Sequence, residues 1–205
     1  MRRLTKLSRF AKTKLGILSI GLVLILLSSV AFISTQGKSS LYAIEDSRII
    51  ISGTGGTHWE LDANSFPYQG EFIVNNGDLE SIENVSFEVP INWLQSNDIQ
   101  MEELVKGLFL ENNCHRITFQ QRHGMVLPIM KMIHLVGELG LASSPQSMAF
   151  QANYRQQNKS ELLFESKQEI NLSDFGIQIP ADKQQLIDDK VEVKVQIKLV
   201  KNTIL

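Results

Sequence analysis

From Leu41 onward, apolar and polar residues alternate along most of the chain. The last long run, KVEVKVQIKLV, sets Val191, Val193, Val195, Ile197 and Leu199 against Glu192, Lys194, Gln196 and Lys198. Successive strand residues face opposite sides, so this spacing predicts a strand with a buried face and a wet face. NVSFEVPI repeats it with Val85, Phe87 and Val89, and QSMAFQANY with Met148, Phe150, Ala152 and Tyr154. SELLFESKQEI puts Leu162, Phe164 and Ile170 inward, and YQGEFIV, RITFQQ and IMKMIHLVGELGL are further strands. In the last of these, His134 shares the phase of Met130, Met132 and Val136 and is expected inward. One stretch has another period. In NDIQMEELVKGLFLEN, Met101, Leu104, Val105 and Leu108 recur at helical spacing, which predicts a helix over 99–110 capped by Asp98 or Asn97. About eight strands with one short helix make an all-β fold, either a sandwich or an antiparallel barrel.

The first forty residues follow neither pattern. MRRLTKLSRFAKTK is basic, and Leu15–Ile33 is an uncharged apolar run. As a hydrophobic helix that run spans about 28 Å, close to the hydrocarbon thickness of a bilayer. The basic flank predicts that the residues following the run are exported, to the periplasm or cell envelope. Two readings stay open. Residues 1–40 are a signal peptide cut after Ala31 plus a linker, or an uncleaved anchor to the inner membrane plus a linker. The domain proper is then 41–205. It carries 13 basic against 22 acidic residues, which excludes nucleic acid as a partner class.

Chemistry is sparse. The glycine-rich GTGGTHWE has no lysine and lacks the third glycine of a dinucleotide fingerprint, so it reads as a turn between strands. Asp174-Phe175-Gly176 stands without the other parts of a kinase site, and there Phe175 is expected to plug the fold. The four histidines have no metal-ligand spacing, and Cys114 stands alone. No catalytic residue, metal or cofactor is expected, and the protein is not read as an enzyme.

The order of these segments resembles the YceI-like domain, a polyisoprenoid-binding-like family of exported bacterial proteins. IEDSRIIISGTGGTHWEL resembles its opening through Ser47, Gly53-Thr54 and His58-Trp59-Glu60. HRITF after the helix MEELVKGLF is similar to another family strand, as is Gly137-Glu138-Leu139 followed by Met148 and Phe150. INLSDFGIQIP, followed by the last strand, resembles the closing signature. Departures lie at GLASSP, Gly140–Pro145, and at His115. The resemblance covers about 41–201. It implies an extended, lipocalin-like antiparallel β-barrel whose pore holds an isoprenoid or similar long-chain lipid, for sequestration or transport. The expected lining is Val85, Phe87, Phe119, Met148, Phe150, Phe164, Phe175, Val193, Val195 and Ile197, with His58 and Trp59 at the headgroup. The other reading is a filled-core barrel acting as a structural or interaction module. Expected partners are the lipid, the membrane through residues 15–33 where they are retained, and a second copy in a homodimer.

Overall fold

The computed structural model describes residues 40–201 apart from 57, 76 and 77, with side chains from residue 45. The apolar run and most of the linker lie outside the described residues. Nine strands follow in order: β1 Ser40–Gly53, β2 Trp59–Asn64, β3 Tyr68–Asn75, β4 Asp78–Pro90, β5 Arg116–Leu127, β6 Met132–Gly140, β7 Gln146–Asn158, β8 Glu161–Asn171 and β9 Lys190–Lys201. One helix, α1 Ile99–Glu111, stands between β4 and β5.

The strands form a single antiparallel sheet in which β3 to β9 pair in chain order. The sheet curls round because β1 pairs with β9 from Tyr42↔Lys201 to Gly53↔Val191. The other edge of β1 is shared. Ser40 and Leu41 pair with β3, and Arg48 to Gly53 pair with β2. The expected count of about eight becomes nine because the GTGGTHWE turn folds β2 back beside β1. Gly55 and Gly56 sit there with φ of 139° and 66°, which L residues rarely adopt.

Inward faces are as the alternation predicts on β7, β8 and β9. On β4 the buried positions are Leu79, Ile82, Val85 and Val89, which no single period of two describes. Two register shifts against β3 explain this, each inserting a residue that restores the inward phase. Asn84, at the second shift, has φ of 57°. On β6 the expected phase is reversed. Ile133, Leu135 and Leu139 are buried, and His134 faces outward beside Met125 and Gln151. Pro128–Met130 forms a 3₁₀ turn, and Lys131 in the left-handed region ends it, so the strand starts at Met132.

Asp98 caps α1, its Oδ1 accepting from the amides of Gln100 and Met101. The helix buries Met101, Val105, Leu108 and Phe109 against one end of the sheet. Phe175 and Ile187 fill the same end, so Phe175 plugs it as expected. The outer faces of β8 and β9 carry ion pairs such as Lys194–Glu165 at 2.7 Å and Lys167–Glu192 at 2.7 Å. Being solvent-exposed, these contribute little to stability and keep the outer face wet.

Candidate functional site

The buried apolar residues form two clusters. One lies at the α1 end, around Leu61, Leu108 and Phe175. The other lies towards the β5–β6 turn, around Phe72, Leu79 and Leu162. Tyr68, Phe87, Phe150 and Val195 border both clusters and are only half-buried. They stand at the waist of the curled sheet because the interior there is not filled. A slot of about 60 Å³, measured as space open to the centre of a water molecule, is lined by Val85, Phe87, Phe119, Phe150, Phe164, Val193, Val195 and Ile197, with Tyr68 and Ala152 among others. At about 10–15 Å³ per water it holds roughly four water-sized spheres.

The register explains the slot. Ala152 of β7 pairs with Ser166 of β8, which pairs with Val195 of β9. Three neighbouring inward positions therefore carry small side chains. Bulky rings form a continuous chain along another part of the wall: Tyr68 stacks on Phe87 at 6.0 Å, Phe87 on Phe119 at 5.6 Å, and Phe119 meets Phe150 edge-on at 5.1 Å. Phe119 can lie flat because it covers Gly137, where an added Cβ would stand 2.4 Å from its ring.

Two polar side chains join this wall, Tyr68 and Ser166. The Ser166 hydroxyl donates to the Gln151 carbonyl at 2.9 Å. Burial raises the Tyr68 phenol well above its ordinary pKa, so it stays protonated and keeps a proton to donate. Tyr68 was not among the expected lining residues. Its place in YQGEFIV carries no signal until the β3–β4 register is known.

Several expected residues stand elsewhere. Met148 packs against the α1-end cluster, and Phe175 lies inside it. Trp59 is buried in that cluster, and its ring lies against Gly53. His58 is exposed. Neither of the two headgroup candidates lines the slot. Cys114 is buried, and desolvation pushes its thiol up to about 12, so it is inert at neutral pH. Among the described residues, no three His, Cys, Asp or Glu side chains gather as a metal site would need.

The wall has one irregular seam. The β4–β5 ladder runs from Pro90↔Arg116 to Ser86↔Gln120 and then stops. Beyond it the Gln121 carboxamide bridges the strands. It accepts from the Val85 amide at 2.9 Å and donates to the Ile82 carbonyl at 3.1 Å. A surface cleft opens along this seam, and Ile82 lines both the cleft and the slot.

The family model of the YceI-like domain matches residues 46–199. The chain belongs to the YceI-like domain family. Among solved structures, Burkholderia cenocepacia BcnA superposes with a TM-score of 0.63 at 14% identity, over 76% of this chain and 99% of that one. A Campylobacter jejuni YCEI protein gives 0.54 at 12% identity, over 68% and 84% of the two chains. A looser likeness, TM-score 0.49 at 10% identity over 82% and 100%, is to a polyisoprenoid binding domain from Saccharophagus degradans implicated in plant cell wall breakdown. These likenesses concern the fold. No curated protein matches the chain.

Proposed function

We propose that this YceI-like domain is an exported, membrane-tethered binding protein. In this reading the curled sheet works as a lipocalin-like barrel and holds the apolar chain of an isoprenoid or similar long-chain amphiphile. The observation that carries the reading is the unfilled apolar slot at the waist, lined by eight of the residues expected from the sequence. Each buried methylene contributes about 0.8 kcal/mol, so a chain of modest length is held without directional contacts. Tyr68 supplies a hydrogen bond to an oxygen on the ligand. No bond is made or broken. The protein sequesters or carries.

The small volume of the slot favours a second reading, a nearly filled core acting as an interaction module. Mass spectrometry of the full chain under native conditions, purified from bacterial membranes, separates the two. The carrier reading expects a discrete adduct that organic solvent extracts as a long-chain lipid. A bare mass, unchanged after incubation with isoprenoid quinones and fatty acids, refutes it.

A further inference from the structure

We infer that the β5–β6 hairpin tip is a membrane-contact surface that dips into a lipid bilayer. Hairpin turns are ordinarily polar. This one reads Pro128-Ile129-Met130-Lys131, with Ile129 100% exposed and Met130 61% exposed. The outward positions behind the tip continue the apolar character. Leu127 pairs with Met132, and Met125, itself 55% exposed, pairs with His134. Val136 lies one outward step further along β6 and is also exposed. Exposed apolar residues at the other end, Trp93, Ile99, Leu110 and Leu186, are spread over the 3₁₀ turn after β4, the two ends of α1 and the loop before β9. The hairpin gathers them on one projecting element, which is not ordinary.

The chain upstream identifies the occupant. Ser40 pairs with Val74, the β3–β4 turn follows Asn75, and Asp78 just beyond that turn is ion-paired with Lys131 of the tip. The start of β1 and the tip therefore lie at the same end of the sheet. Residues 34–39 separate Ser40 from the apolar run Leu15–Ile33, and six extended residues reach roughly 20 Å. A bilayer that holds this run therefore lies within that reach of Ser40, at the end of the sheet that carries the tip. The same rim carries exposed Lys159 and Lys201 and an exposed Glu80, Lys131 pairs with Asp78, and Lys198 stands between Glu45 and Glu161, so the rim's charges nearly cancel.

The test uses the full chain reconstituted in vesicles of phosphatidylethanolamine and phosphatidylglycerol. Ile129→Cys is labelled with an environment-sensitive fluorophore, and Leu186→Cys at the opposite end is the control. Cys114 is buried and does not compete for label. The expected result is several-fold stronger quenching of the Ile129 label by brominated lipid than of the control, with weaker quenching by aqueous iodide. Equal quenching at the two positions overturns the proposal. So does shielding of the Ile129 label from both quenchers, which signals a protein cover such as a second copy. A chain that fails to float with the vesicles overturns it as well. The readout does not depend on whether the slot holds a lipid, so it stands or falls apart from the carrier reading.

Discussion

Replacing Ala152 by leucine separates an open slot from a filled core, because the two give opposite signs. Ala152 is inward on β7, lines the slot, and sits in the row of small residues with Ser166 and Val195. Leucine adds three carbons at that point, and the slot admits roughly four water-sized spheres. In the ligand-free protein those carbons enter existing space. At about 0.8 kcal/mol per methylene the ceiling is about 2.4 kcal/mol, and a constrained rotamer lowers the gain to about 1–2 kcal/mol. A bound chain loses the same space, so its affinity falls by about 2.4 kcal/mol, roughly 50-fold in Kd. The assays are urea unfolding of the delipidated protein and titration with parinaric acid, whose fluorescence rises in an apolar site. Higher stability with weaker binding is the expected pair. A loss of about 1–3 kcal/mol, as overpacking produces, with parinaric acid binding unchanged would refute the reasoning.

Tyr68→Phe is expected to lower affinity for a long-chain alcohol about tenfold while leaving an alkane-tailed probe without a polar group unaffected, measured by competition with parinaric acid. Gln121→Leu removes the partners of the Val85 amide and the Ile82 carbonyl, so unfolding in urea should show a loss of about 2 kcal/mol. Gly137→Ala, with its new Cβ 2.4 Å from the Phe119 ring, should cost about 2 kcal/mol or more and push that ring into the slot, seen as lost probe binding. Burial pushes the Cys114 thiol up to about 12 and also raises Tyr68 and Tyr154, so the unfolded chain loses these protons first as pH rises. Stability is therefore full below about pH 9 and falls toward pH 12. Cys114 alone accounts for about 2 kcal/mol by about pH 10.5, and the urea midpoint of Cys114→Ala should fall less steeply.

Strands with one buried and one wet face were legible wherever the alternation was unbroken, as in β7, β8 and β9. The cap and extent of α1 were legible because Asp98 precedes a helical spacing. The failures have physical causes. Bulges in β4 shift the inward phase, so Leu79 and Ile82 could not be read from a period of two. IMKMIHLVGELGL offers two apolar phases, Met130-Met132-Val136 and Ile133-Leu135-Leu139, and composition does not choose between them. The turn at Pro128–Lys131 chooses, by restarting the strand at Met132. His134 then faces out. Met148 was placed on the right face of its strand but at the wrong height, because distance along the axis depends on register between strands and not on the sequence of one.

Height along the axis also decides where the slot lies. Ala152, Ser166 and Val195 are far apart in sequence, and each alone is an unremarked small residue. Only the pairings Ala152↔Ser166 and Ser166↔Val195 bring them to one level. Opposite a wall of rings, three small side chains in a row leave space that one would not, since neighbouring side chains lean over a single gap. A filled core calls for a large side chain at one of these three positions, and the next residues in the same row, Ile133 beside Ala152 and Ile49 beside Val195, are aliphatic. The gap is thus built into three strands at once and is not a packing defect left by one residue.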